Sequence, residues 1–191
     1  MEKVEINKNM KLSEHFTLGE LCKTKYVTED GNIPSRVVIE NLIRVCGWLE
    51  ELRVLAGVRP QSKVCAGVRP QSKVAGDCTL APDPGAALDP GAAPSARKEV
   101  PIVINSGYRS PEVNRLAGGA ANSNHLSGCA VDIRCAGKEQ MIRYASILLD
   151  IADGSKQEYD ELLLEQHGSV CWLHFAVRPK ENRRIIRFLR V

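Results

Sequence analysis

SGYRSPEVNRLAGGAANSNHLSGCAVDI, residues 106–133, passes from a helix start through a polar loop into a strand. Ser110-Pro111 opens the helix, with proline at the first helical position, where its missing N–H costs nothing. The polar run Ala121-Asn122-Ser123-Asn124 then leads to His125. From Cys129 to Arg134 the residues alternate, so that Val131 and Ile133 face one side of a strand while Ala130 and Asp132 face the other. That register turns Asp132 away from the core. With His125 seven residues earlier, a loop imidazole and a strand carboxylate can converge.

Upstream, PIVIN at 101–105 reads as a short buried strand. A capping-box pattern, Thr17 followed by Glu20, predicts a short helix over 17–24. A longer helix follows Pro34 and Ser35, because Val38, Leu42, Val45, Leu49 and Leu52 recur at steps of four and three and so share one face. Downstream, Gly137–Ala152 is a second long amphipathic helix. Leu162–Leu164 and Trp172–Val177 read as strands joined by a turn at His167-Gly168-Ser169. The order predicts an α+β domain in which helices flank a small, mainly antiparallel sheet. It spans residues 1–191 and is interrupted at about 56–99. There AGVRPQSKV occurs twice, at 56–64 and 66–74, followed by PDPGAA and LDPGAA. Six of the ten prolines fall in this stretch, and it lacks the apolar residues needed to offset ordering entropy, so it reads as a flexible insertion without chemistry of its own.

The 191 residues suffice for an ordinary core without staples. Hydrophobic residues at 43% and charged residues at 26% are globular values, and no apolar run approaches the roughly 18 residues of a membrane span. A net charge of +3 argues against a nucleic-acid partner, although the last ten residues hold four arginines that would also suit an anionic cell wall. Seven cysteines with no CxxC pair point to reduced thiols. The polar N-terminus MEKVEINKNMKLSEHF lacks a secretory signal, so the expectation is a monomer made in the cytoplasm that reaches any external substrate by release or delivery.

A catalytic zinc typically takes three protein ligands and leaves a fourth position for water. His174 lies within the apolar strand WLHFAV, where an unpaired imidazole would be costly. Singly, His125, Asp132 and His174 could be a surface residue, a capping group and a hydrogen-bonded core histidine. Together, Ser123, His125, Gly128, Ala130 and Asp132 spell S-x-H-x-x-G-x-A-x-D, and Trp172-Leu173-His174 supplies a distal W-x-H. This combination closely resembles the zinc D-Ala-D-Ala carboxypeptidase family, which also includes phage L-alanyl-D-glutamate endopeptidases and vancomycin-resistance dipeptidases. LSEHFTLGEL near the N-terminus and YDELLLEQ before the W-x-H strand are similar to further family segments.

The resemblance implies a hedgehog/DD-peptidase-like fold, one Zn2+ per chain held by His125, Asp132 and His174, and a peptidoglycan stem peptide as substrate. It implies that Arg109 binds the substrate carbonyl or carboxylate, where a guanidinium can stabilise an oxyanion; alternatively Arg109 ties down its loop. Ser123 would orient His125 or touch substrate, and Tyr108 would be contact or packing. His15 reads as structural. The chain departs from the family where many members place an acid three residues before the last histidine, since Cys171 stands there, and where others place a histidine five before, since Ser169 stands there. The general base is therefore open between Glu165, the first choice, and His167, the second. Loss of turnover, leaving a zinc-containing peptide-binding module, is the alternative to an active peptidase.

Overall fold

The computed structural model describes residues 7–57 and 100–190. Helix α1 (Leu18–Leu21) starts at Thr17, whose side chain accepts from the Glu20 N–H while Glu20 reaches back to the Thr17 N–H, so the capping box is complete. Helix α2 (Arg36–Gly57) buries Val38, Leu42, Val45, Leu49 and Leu52 as the spacing predicted. It also takes in Ala56 and Gly57, so the first residues of the first AGVRPQSKV copy are helical rather than part of the insertion. The rest of the insertion, 58–99, lies outside the described residues. The described residues on its two sides come together, because the Val100 N–H donates to the Arg53 carbonyl in the last turns of α2 (3.4 Å).

The remaining elements are β1 (Ile104–Ser106), α3 (Pro111–Leu116), a 3-10 turn (Asn124–Ser127), β2 (Ala130–Cys135), α4 (Lys138–Ser155), β3 (Glu161–His167), β4 (Val170–Ala176) and β5 (Ile185–Arg190). They form one five-stranded sheet in the order β1-β2-β4-β3-β5, antiparallel except for the parallel β3–β5 pair. One expectation needs correction. The strand predicted over PIVIN begins only at Ile104 and is an edge strand, not a buried one: Ile102 is buried, but Val103 is half exposed. The arginine-rich C-terminal stretch, for which no element was expected, forms β5, and its exposed charges suit an edge strand.

One face of the sheet carries Val131, Ile133, Leu162, Leu164, Leu173 and Phe175, all buried with α2 and α4 in one core. Phe175 stacks obliquely on Trp48 of α2, ring centroids 5.2 Å apart. Since successive strand residues alternate, the opposite face presents Asp132 on β2, Trp172 and His174 on β4, and Glu161, Leu163 and Glu165 on β3. The β3–β4 hairpin turns in two residues, with Gly168 at φ 56° supplying the left-handed conformation such a turn requires. The N-terminal segment is pinned to α2 through Glu50, which accepts from Ser13 Oγ (2.6 Å) and the His15 N–H (2.8 Å) and contacts the His15 ring, so His15 is structural. Among the described residues, no helix is long and apolar enough to cross a membrane.

Candidate metal centre

Asp132 and His174 are direct cross-strand partners on β2 and β4, and the 3-10 turn lowers His125 onto them. Ser123 caps that turn, its Oγ accepting from the His125 N–H (3.3 Å). Gly128 ends the turn at φ 69°, and a Cβ there would lie 2.7 Å from Val38 Cγ1 and 2.8 Å from the Val38 carbonyl. Both the backbone and the close approach to α2 thus require glycine at this motif position. Gly128→Ala is expected to destabilise the fold by about 1–3 kcal/mol and to lower metal affinity, both readable in one thermal titration with and without zinc.

The three side chains meet at one point. His174 Nδ1 lies 2.9 Å from Asp132 Oδ1, while His125 Nε2 lies 3.2 Å from each of these atoms. Nitrogen and oxygen ligands about 2.0–2.1 Å from a tetrahedral zinc stand about 3.3 Å from one another, so the donor set fits such an ion closely. All three residues are buried, and no other described His, Cys, Asp or Glu cluster has ligand atoms this close.

Each ligand is held from behind. His125 Nδ1 lies 2.6 Å from the Gly107 carbonyl; the N–H must sit there, which leaves Nε2 as a bare donor for a cation. His174 Nε2 faces Glu161 Oε2 at 3.5 Å, which likewise leaves Nδ1 for the centre. Asp132 Oδ2 takes a short bond from Arg109 Nη2, and Arg109 Nε donates to Ser106 Oγ (2.8 Å). Burial opposes charge on Asp132, yet the adjoining His125 and His174 outweigh it and hold its carboxyl far below the usual range. Burial also opposes charge on His174, but the hydrogen bonds to Asp132 and Glu161 prevail and raise its pKa to about 9. The site favours positive charge at its centre, as a cation-binding site must.

An open cleft of about 930 Å³ leads to this point, lined among others by Arg109, Ser123, Glu161, Glu165 and Trp172. Glu165 pairs across the hairpin with Trp172. Burial, with the Asp132 charge adding to it, keeps its carboxyl above the ordinary range despite His174. His167 shares the strand but sits at the turn, paired with Val170, and does not line the cleft. Tyr108 does not line it either. Its ring is buried in the core and its N–H donates to the Leu21 carbonyl (2.7 Å), so it is packing rather than a substrate contact. Cys171 lies on the core face of β4 opposite Cys135, away from His174.

Sequence reading missed a clamp at the cleft's other wall. Asp160, fully buried, receives Arg183 Nε and Nη2 (2.8 and 2.7 Å) and Asn124 Nδ2 (2.8 Å). Glu161 receives the same Arg183 Nη2 (2.7 Å) and Asn124 Nδ2 (2.9 Å). The clamp ties the residue before His125 to the strand that backs His174. Its only sequence signal was the adjacent acid pair Asp160-Glu161 entering an apolar strand. Glu161→Gln is expected to weaken metal binding by about 10–100-fold, measured by competition with a chromophoric chelator.

Residues 91–157 match a family model. The model is that of Peptidase M15. The M15 match covers His125 and Asp132 but ends before His174, which the β2–β4 register brings to the same point. Comparison with curated proteins gives no match. The M15 family consists of zinc peptidases, in agreement with the resemblance drawn from the motif and with a His-Asp-His cluster that could hold the ion.

Proposed function

We propose that the protein is a zinc-dependent peptidase that hydrolyses a peptide bond in peptidoglycan stem peptides, as a D-Ala-D-Ala carboxypeptidase or an L-Ala-D-Glu endopeptidase. The observation that carries this reading is the convergence of His125 Nε2, Asp132 Oδ1 and His174 Nδ1 at the floor of an open cleft with Glu165 on its wall. A zinc ion bound there would acidify water and polarise the scissile carbonyl. Glu165, held above the ordinary carboxylate range by burial, takes the proton of the attacking water and returns it to the leaving amine nitrogen. Arg109 commits Nε to Ser106 and Nη2 to Asp132, which leaves Nη1 for the substrate's carbonyl oxygen as negative charge develops. Ser123 holds the turn that presents His125.

The second reading, a zinc-containing peptide-binding module without turnover, was motivated by Cys171 standing where an acid is often found. Cys171 faces the core, and Glu165 supplies a carboxylate to the cleft instead, which favours the active enzyme. Mass spectrometry of defined stem peptides incubated with the zinc-loaded protein tests the choice. New termini at one bond identify a peptidase and the bond it cuts; intact peptides that nevertheless bind would establish the module.

A further inference from the structure

Arg109 lines two hollows, the metal cleft and a second of about 520 Å³ on its other side. The second is walled by Lys23, Thr24, Lys25 and Tyr26 on one flank, and by β1 and Arg134 on the other. Among the described residues, its lining holds four cations and no carboxylate. Among the described residues Lys23, Lys25 and Arg134 have no acidic partner; Lys25 Nζ only rests over the Tyr26 ring, 5.2 Å from its centroid. Other surface arginines do have acids beside them, as Arg36 has Glu40 and Arg184 has Asp153 and Glu158.

The lysine wall is fixed relative to the cleft. Buried Asn32 donates to the carbonyls of Cys22 (2.9 Å) and Tyr108 (3.3 Å) and accepts from the Ser110 N–H (2.7 Å). Segment 22–32 is thereby latched to the loop that carries Arg109. Gly107 packs directly on the Leu21 carbonyl, leaving no room for a Cβ, and so closes the same seam. Arg134 follows Asp132 by two positions on β2 and therefore projects from the same face of the sheet. Three cations held beside a cleft, with no neutralising group among the described residues, suit an anion carried by whatever occupies that cleft.

We propose that this hollow is a carboxylate-binding subsite. The peptide cleaved at the metal centre then bears a free carboxylate on the flank that passes Arg109, separate from the scissile bond. This inference rests on the peptidase reading for the identity of its ligand. The test uses the full zinc-loaded chain and two fluorescently labelled synthetic stem peptides, identical except that the D-glutamate α-carboxyl is free in one and amidated in the other. Binding is followed by anisotropy and cleavage by mass spectrometry.

The free acid should bind about tenfold more tightly than the amide, a preference that shrinks as salt is raised. Lys23→Ala combined with Arg134→Ala should bring the two affinities within about twofold, and Lys25→Glu should reduce the preference on its own. Arg187→Ala, on the β5 edge at the far side of the sheet, should leave the preference unchanged. Equal affinities in the parent protein, or a preference that survives both sets of variants with zinc content intact, would overturn the subsite. A preference without cleavage supports the subsite while refuting the peptidase; cleavage of both peptides with equal affinity does the reverse.

Discussion

Alanine at His125, Asp132 or His174 is expected to abolish stoichiometric zinc binding, and with it turnover, while the fold survives. The fold should survive because the core lies on the opposite face of the sheet, built from Val131, Ile133, Leu173 and Phe175 with α2 and α4, and none of the three ligands contributes to it. The metal should be lost because three donors at 2.9–3.2 Å spacing are the minimum for such a site, and two leave it open. Zinc in thousandfold excess over its dissociation constant stabilises a protein by about 4 kcal/mol, so the parent should show a large rise in melting temperature on zinc addition and each variant little or none. Inductively coupled plasma analysis of the same samples gives the stoichiometry. Full zinc content in all three variants would dismantle the site. Cysteine-to-serine changes at the described cysteines should leave the metal in place, since none belongs to the cluster.

Glu165→Gln is expected to lower kcat by about 10²–10⁴ while zinc content stays at that of the parent. The amide keeps the size and the contact with Trp172 but cannot take a proton. His167→Gln should leave kcat near the parent value, because His167 does not line the cleft. The pH dependence follows from the direction of the shift. Burial raises the Glu165 carboxyl, so the group stays protonated, and inactive as a base, to higher pH than an ordinary glutamate. Activity should therefore rise with pH along a limb lying above the usual carboxylate range, and Glu165→Asp, shorter by one methylene, should keep such a limb at reduced kcat. Unchanged kcat in Glu165→Gln would send the proton elsewhere.

Local patterning carried much of this architecture. The stripe on α2, the proline start of α3 and the alternation that aims Asp132 away from the core depend on periods of 3.6 and 2 that neighbouring residues alone express. The convergence of His125, Asp132 and His174 was legible because a short motif spans two of them and a strand signature marks the third. Non-local features were hidden. Glu165 and His167 share one face of β3, and only the hairpin's position relative to the cleft separates them. Asp160 meets Arg183 and Asn124 across 23 and 36 residues, a closure that no local pattern records. Strand β5 was obscured because its arginines read as a basic patch, whereas its parallel pairing with β3 depends on a partner some twenty residues away. PIVIN looked like a buried strand because its composition is apolar, yet the strand it leads into pairs with β2 alone, at the sheet's edge.

The parallel β3–β5 pair and the Arg183 clamp also bear on the order in which the site is made. All three ligand residues precede Arg183 in the chain, so a polypeptide growing from its N-terminus presents a complete donor set before the wall behind His174 is braced. The residues that seal the edge of β3 and draw Asp160 and Glu161 into place are made after all three ligands. A truncated translation product ending near Pro179 would therefore carry the donors but lack the brace. Such a product should bind zinc more weakly than the full chain, because Glu161 behind His174 would have lost Arg183.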